Sequence, residues 1–501
     1  MLMDDMGWGD LGLNGDPSRE TVRLDQMARE GMLLTDFYAA SPLCSPSRAS
    51  LLTGRLPIRN GFYTTNVKAR NSYVPQEMLG GIATSEILIS ELLAWAGYRN
   101  KIIGKWHLGH SRPEYHPVAR GFHEYFGTPN VHFGPYDDVK TPNVPVFRDQ
   151  RMVGRLFESK EFAIDRRRQL SNLTQLYTEE AIDFIRRQSA SRSCQPFFLY
   201  WTPDSLHAPT FRSAAFAGSS SKASSYGDAL VEVDHSVGRI MDVIRGDPRL
   251  AQNTLVFFTS DNGAALVSKT DAGSNGPLLC GKQTTFEGGF REPAIAWWPS
   301  RIAPDTRTAQ VASQMDLFRT IVNLAGLEMP LNRTYDSNDL GPVLFANRSE
   351  SGEGAQLNSS MFFYRGDTLM AVRNGPYKAH YWTFTNPIEE FRRGIDYCPG
   401  SAVANVTTHR LTPHQKAPVL FHLVRDPGER YPIPRWTAEY KWAKRQLDAI
   451  AEQHQAEMQP GVPVLNICDR AAMNWAPEGC EQLKMCLPKP ISAPYHCDWP
   501  H

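Results

Sequence analysis

The first two-thirds of the chain alternates two hydrophobic periods, and this restricts its fold more than any other feature. Thr21–Glu30 repeats apolar residues at helical spacing, with Leu24 and Met27 on one face and Gly31 as a stop. Ser85–Ala96 reads as a second helix, capped by Ser85 and stopped by Gly97. Leu173–Gln188 and Tyr226–Arg245 are two more. Between them, Tyr98–Ile103, Phe197–Trp201 and Thr254–Thr259 are short apolar runs of strand length. Strands separated by amphipathic helices imply an α/β domain, because each helix must bury its stripe against a sheet. From about residue 355 the texture changes. Met361–Tyr364, Leu369–Arg373, Lys378–Thr383 and Leu420–Leu423 are strand candidates joined by turns, and a helical pattern spans Ala438–Glu457 after them. The expected division is an α/β domain over 1–354, a small antiparallel domain with a helix over 355–459, and an irregular tail over 460–501.

Each of these strands leads into polar residues. Asp4-Asp5 comes after the short apolar opening, and Lys105-Trp106-His107 after Tyr98–Ile103. Asp204 and His207 come after Phe197–Trp201, and Asp261-Asn262-Gly263 after Thr254–Thr259. In open α/β sheets ligands bind beyond the carboxyl ends of strands, so these groups can form one composite site. Asp4, Asp5, Asp261 and Asn262 offer the hard oxygen donors that calcium or magnesium prefers over zinc. Alone, an Asp-Asn-Gly run is a turn. Lys105 and His107 lie two apart, so an extended backbone would aim both side chains the same way.

Cys44–Arg55 reads CSPSRASLLTGR. Ser45 and Pro46 resist helix continuation upstream, which places the helix over Ser47–Thr53 with Gly54 as its stop. Cys44 then sits at a helix N-terminus, where backbone N–H groups and the dipole favour anions, and Arg48 adds a permanent cation. By itself such a cysteine reads as buried or disulfide-bonded.

Composition narrows the partners. Lys plus Arg and Asp plus Glu are each 53, so there is no basic excess of the kind a nucleic-acid binder shows. No apolar run is long enough for a membrane span. The opening, MLMDDMGWGDLG, lacks the charged and apolar segments of a secretory leader and reads as a start within a strand, from a trimmed chain or a late start. Of the eight cysteines, Cys468, Cys480, Cys486 and Cys497 crowd the tail. Two bridges among these four are expected, with Cys280 paired to Cys398 and Cys194 free; two Cys-x-x-Cys pairs, as zinc would want, are lacking. Sequons stand at Asn172, Asn332, Asn347, Asn358 and Asn405, and the polar settings of Asn172 and Asn405 favour those two for glycosylation.

The Cys-x-Pro-x-Arg motif resembles the signature of the type I sulfatases, in the alkaline-phosphatase-like superfamily. GYRNKIIGKWHLG resembles the second signature of that family, departing at Asn100, where Ser or Thr is usual and where the chain is within a strand. MDDMGWGDLG, HFGPYDD, FFTSDNGAAL, SNGPLLCGKQTTFEGGFREPA, YRGDTLMA and RDPGER extend the likeness to the glycosaminoglycan exosulfatase branch. The resemblance implies a large mixed sheet flanked by helices and a Cys44 oxidised to formylglycine by the formylglycine-generating enzyme. It also implies one Ca2+ held by Asp4, Asp5, Asp261 and Asn262 against the modified Cys44. Arg48, Lys105, His107, His207, Asp261 and Lys282 become the expected catalytic residues, with Lys105, His207 and Lys282 touching substrate. Tyr73 reads equally as pocket lining or as ordinary packing. The implied activity is hydrolysis of 6-sulfate esters on N-acetylgalactosamine of chondroitin 6-sulfate and on galactose of keratan sulfate, by a lysosomal homodimer.

Three rivals stand beside this reading. A phosphatase or phosphodiesterase on the related alkaline-phosphatase-like fold would place Ser or Thr at the nucleophile position and carry a histidine-rich zinc set. A catalytically inactive carbohydrate-binding relative would have lost some of the polar residues found here. A sulfatase of another substrate, such as a sulfolipid or aryl sulfate, would share every motif of the site.

Overall fold

The computed structural model describes residues 1–15, 17, 20–66, 74–134, 136–191, 195–346, 357 and 360–498. Among the described residues before 354, eleven strands lie in two blocks. One block has the order β1-β8-β9-β2-β10, where β1 is Leu2–Met3, β2 Met32–Tyr38, β8 Val256–Ser260, β9 Arg291–Trp297 and β10 Thr306–Thr308. A short β11, Ala312–Ser313, also pairs with β2. The other block has the order β6-β5-β4-β3-β7, with β3 Arg99–Lys105, β4 Glu124–Thr128, β5 Pro145–Arg148, β6 Arg151–Arg155 and β7 Phe197–Thr202. Strand β1 runs parallel to β8 and lies beside β7, so the blocks meet there. Pairing is mixed: β3 is parallel to β4 and β7, whereas β9 is antiparallel to β2 and β8.

The period of two within each strand sorts side chains onto opposite faces. Leu34, Ile102, Ala294 and Ala296 enter one core with Leu52, Leu92, Trp106 and Phe318. Their neighbours Leu33, Ile103, Ile295 and Trp297 enter the other, against α1 (Val22–Arg29), α4 (Leu173–Ala190) and α5 (Ser225–Gly246). The first core is covered by α2 (Cys44–Thr53), α3 (Ile89–Trp95) and α6 (Gln314–Leu324). Helices therefore flank the sheet on both faces, as the alternation of periods requires.

Two helix starts differ from the sequence reading. Helix α2 begins at Cys44, not Ser47, because Pro46 falls in the first turn, where its missing N–H has no intrahelical acceptor to lose. Helix α3 begins at Ile89, and Ser85 is not its cap. Instead the Glu91 carboxylate accepts the Leu88 N–H at 2.7 Å, closing the first turn further along the chain. At the other end of α2, Gly54 adopts φ +68°, and a Cβ there would lie 2.8 Å from the Phe318 ring.

Beyond residue 360 four antiparallel strands form a sheet in the order β12-β13-β14-β17: Ser360–Arg365, Thr368–Asn374, Tyr377–His380 and Val419–His422. The expected strand Lys378–Thr383 is divided, since Tyr381 donates its N–H to Met370 and the chain turns into β15 (Trp382–Thr383), which pairs with β16 (Thr412–Pro413). Helix α7, Ala438–Glu457, packs Tyr440, Ala443, Leu447 and Ala451 over this sheet. In the tail, β18 (Ile467–Cys468) pairs with β19 (Tyr495–His496). Disulfides join Cys280 to Cys398, Cys468 to Cys497 and Cys480 to Cys486. The four tail cysteines are thus bonded pairwise and are not zinc ligands. Cys44 is the free cysteine among the described residues, and Cys194 lies outside them.

Candidate active site

Four strand ends and one helix start converge on Cys44. Strand β1 delivers Asp4 and Asp5, β3 delivers Lys105 and His107, β7 delivers Asp204 and His207, and β8 delivers Asp261 and Asn262. Helix α2 carries Cys44 in its first turn and Arg48 one turn on. The loop after Cys280 brings in Lys282. Asp4, Asp5, Lys105, Arg48, Asp261 and Asn262 are all buried.

The Cys44 thiol stands at the centre of these groups. Cys44 Sγ lies 3.4 Å from Asp4 Oδ1, 3.9 Å from Asp5 Oδ1 and 3.2 Å from Lys282 Nζ. Lys282 also donates to Asp5 Oδ1 at 2.5 Å, and Lys105 donates to Asp4 Oδ2 at 2.7 Å. Arg48 binds Asp261 Oδ2 through Nε at 2.9 Å and Nη2 at 2.8 Å, with Asp4 Oδ2 at 3.7 Å. Its Nη1 holds the Lys105 carbonyl at 3.1 Å, which ties the helix to the end of β3. Gln314, at the start of α6, accepts from Ser47 Oγ and donates to the Ser260 carbonyl, fixing α2 to the end of β8.

Charge and burial act together here. Burial alone would raise the Asp4 carboxyl, but Lys105, His207, Arg48 and Lys282 hold it well below the ordinary range. Burial pushes Asp261 up to about 6, helped by the charge of Asp4 and opposed by Arg48. Burial would lower Lys282, yet Asp5 and its neighbours raise it, so it is a fixed cation.

The two site histidines present different nitrogens. His107 Nε2 is 2.7 Å from the Val74 carbonyl, which can only accept, so Nε2 carries the hydrogen and the buried Nδ1 is left with a free lone pair. His107 has φ +65°, so the extended geometry that would have aligned it with Lys105 ends at the strand; a left-handed residue turns the ring instead. In His207, Nδ1 faces the Ala208 carbonyl at 2.8 Å, which leaves Nε2 directed at Asp5 Oδ2, 3.8 Å away.

One residue given no role in the sequence reading, His132, joins the site beside Asp204, which that reading placed at a strand end. His132 Nδ1 is 2.7 Å from Asp204 Oδ2 and its Nε2 is 3.0 Å from the Pro209 carbonyl, so both nitrogens donate. Burial opposes that charge, but Asp204 outweighs it and raises the His132 pKa. This pair lies behind His207, with ring centroids 5.8 Å apart. Asn100 is remote from the chemistry: its side chain bonds the carbonyls of Ser90 and Gly121. Tyr73 lies outside the described residues.

The carboxylate and amide oxygens of the site fit a hard divalent cation. Asp4, Asp5, Cys44 and His207 offer ligand atoms within 4.8 Å of one another. Asp5 Oδ2 and Asn262 Oδ1 are buried oxygens without a hydrogen-bond partner, while the Asn262 amide N–H groups donate to Asp5 Oδ1 and the Gly263 carbonyl. Oxygens in that state are expensive unless a cation takes them. Asp261 is committed to Arg48 and to the Asp5 N–H, at 3.2 Å, and borders the set.

A cysteine at a buried helix start, ringed by fixed cations beside paired carboxylates, suits a hydrolase of anionic esters. The chain belongs to the sulfatase family: the model described as Sulfatase matches residues 1–327, and that described as the C-terminal region of aryl-sulfatase matches 356–488. It is a sulfuric ester hydrolase. Among curated relatives, N-acetylgalactosamine-6-sulfatase of Sus scrofa is 58% identical, covering 100% of this chain and 94% of the relative. The Homo sapiens protein of the same name is 55% identical, covering 100% and 93%. A solved sulfatase from Pseudoalteromonas sp. is 27% identical, with TM-score 0.73 over 92% of this chain and 91% of the other.

Proposed function

We propose that this enzyme removes the 6-sulfate from terminal N-acetylgalactosamine of chondroitin 6-sulfate and from terminal galactose of keratan sulfate. The observation that carries the reading is whole-length identity of 55–58% to proteins named for the first of these sugars, combined with the Cys44 pocket. Formylglycine, made from Cys44 by the formylglycine-generating enzyme, would when hydrated supply one hydroxyl to attack sulfur and a second to expel sulfate. One Ca2+ held by Asp4, Asp5, Asp261 and Asn262, against the modified Cys44, would supply positive charge to a sulfate oxygen.

The chain's own groups do the rest. Asp261 accepts the proton released as the first hydroxyl attacks. Lys105, Lys282 and Arg48 stabilise charge on the transferring oxygens from fixed positions. His207, with Lys282, supports departure of the sugar alcohol, and the His132–Asp204 pair holds its ring from behind. His107 accepts the proton of the second hydroxyl through Nδ1. We assign the enzyme to the lysosome as a homodimer, with glycans on the exposed Asn172 and Asn405.

The test is the mass of the peptide spanning Cys44, from protein secreted with a fused signal peptide, and then turnover of 6-sulfated N-acetylgalactosamine and galactose. An aldehyde or hydrate mass with release of sulfate from both sugars is expected. An unmodified thiol in cells that convert a control sulfatase, or no turnover by converted protein, would overturn the reading.

A further inference from the structure

An exposed strip at the edge of the C-terminal sheet combines aromatic rings with unpaired cations. The segment 424–436 runs along β17, where Ile433 donates to the Leu420 carbonyl at 2.8 Å and Arg435 Nη2 reaches the Ala417 carbonyl at 3.2 Å. It then enters α7, whose Trp442 packs edge-on against Tyr377 with centroids 5.4 Å apart. Tyr431 is 77% exposed and Trp436 80%.

The charges of the strip are one-sided for a structural reason. Its acids are engaged: Asp426 accepts the N–H groups of Arg430 and Tyr431, Glu429 is buried against Lys378 and His380, and Glu439 pairs with Arg425. Arg430, Arg435, Lys441 and Arg445 are exposed, and none has an ion pair among the described residues. The result is a cationic surface carrying two flat aromatic faces, on a chain whose net charge is zero.

We propose that this strip is a docking surface for a sulfated polysaccharide, engaging the polymer away from the end held at Cys44. Guanidinium and ammonium groups pair with sulfate and carboxylate, and Tyr431 and Trp436 offer faces to the C–H side of sugar rings. A second copy fits less well, because a twofold contact would set the same cations against each other. A membrane fits less well too, because the apolar side of α7 is already spent on the C-terminal sheet and no amphipathic face remains to insert. The inference rests on the polysaccharide reading of the active site.

The test compares wild type with Tyr431→Ala/Trp436→Ala and with Arg430→Gln/Arg435→Gln, each secreted full length. Three quantities are read: turnover of a monosaccharide 6-sulfate, KM for chondroitin 6-sulfate chains, and the salt needed to elute from immobilised chondroitin 6-sulfate. Both variants should raise the polymer KM at least about fivefold and elute at lower salt, with monosaccharide turnover unchanged. Unchanged polymer KM and elution would overturn the proposal. So would loss of binding to phosphatidylserine vesicles, or a shift in oligomeric state, with polymer affinity intact. If wild type fails on the monosaccharide, the active-site reading falls, while elution from the polymer still judges the strip.

Discussion

Lys282 Nζ stands 3.2 Å from Cys44 Sγ, although 238 residues separate the two in the chain. The loop that carries it is tied down on several sides. Lys282 donates its N–H to the Ala264 carbonyl and Gln283 donates to that of Pro42, while Cys280 is bonded to Cys398 beside the C-terminal sheet. Replacing Lys282 by Gln should leave conversion of Cys44 intact by peptide mass and lower kcat about 100-fold, the usual loss for one fixed charge-stabilising donor.

The bridge to Cys398 should matter for rate as well as stability. Cys280→Ser/Cys398→Ser should lower the unfolding free energy by about 2–5 kcal/mol and lower kcat on a small ester, because Lys282 loses its anchor. Cys468→Ser/Cys497→Ser should lower stability with kcat of the folded fraction kept. Equal kcat in both double variants would show that the Cys280 bridge does not position Lys282.

Lys105 and Asp4 form a pair with both side chains wholly buried. Lys105→Met should cost about 3–5 kcal/mol in urea unfolding, since the Asp4 carboxylate would be left in the interior without the cation that donates to it at 2.7 Å, the nearest remaining one being Arg48 at 3.7 Å. Activity should fall in the same variant. A loss of activity without a loss of stability would mean that the carboxylate finds another partner.

The C-terminal sheet is held to the catalytic part by an ion cluster whose pH response has a definite sign. Glu287 pairs with Lys378 at 2.9 Å, both fully buried, and accepts from Tyr38 at 2.5 Å. Burial would raise the Glu287 carboxyl, but Lys378, Arg373 and Arg291 together lower it from the ordinary 4.5 to about 2. A depressed carboxyl contributes stability fully above its unfolded value and loses it as pH falls through the folded one. Glu287→Gln should therefore destabilise equally at pH 7 and pH 5, with the difference from wild type closing toward pH 2. Thermal melts at these three pH values decide it.

Chelation should report on the oxygen cage. Treatment with a chelator should lower Tm, and calcium or magnesium should restore it better than zinc, because the unpartnered atoms Asp5 Oδ2 and Asn262 Oδ1 are hard donors. Recovery with zinc alone would contradict that donor chemistry.

Periodicity read helices and strands well where a segment meets its neighbours along one face, as in α7, where Tyr440, Ala443, Leu447 and Ala451 mark the buried stripe. It read boundaries poorly where a side chain sets the first turn. Glu91 moved the start of α3, and Pro46 was tolerated within α2, because both effects depend on which N–H groups lack an acceptor. His107 shows the same limit in the site, since a left-handed backbone turns its ring where extended spacing would not.

Local pattern alone therefore determined the α/β class, the small antiparallel sheet, and the motif that puts Cys44 and Arg48 one turn apart at a helix start. These rest on hydrophobic period and turn chemistry, which act over a few residues. Tertiary structure alone decided that Lys282 meets Cys44, that Asp204 pairs with His132 behind His207, and that two oxygens are buried beside Cys44 without a hydrogen-bond partner. Such pairings depend on which strand ends converge and on how far water is excluded from them, and neither leaves a mark in the spacing of residues.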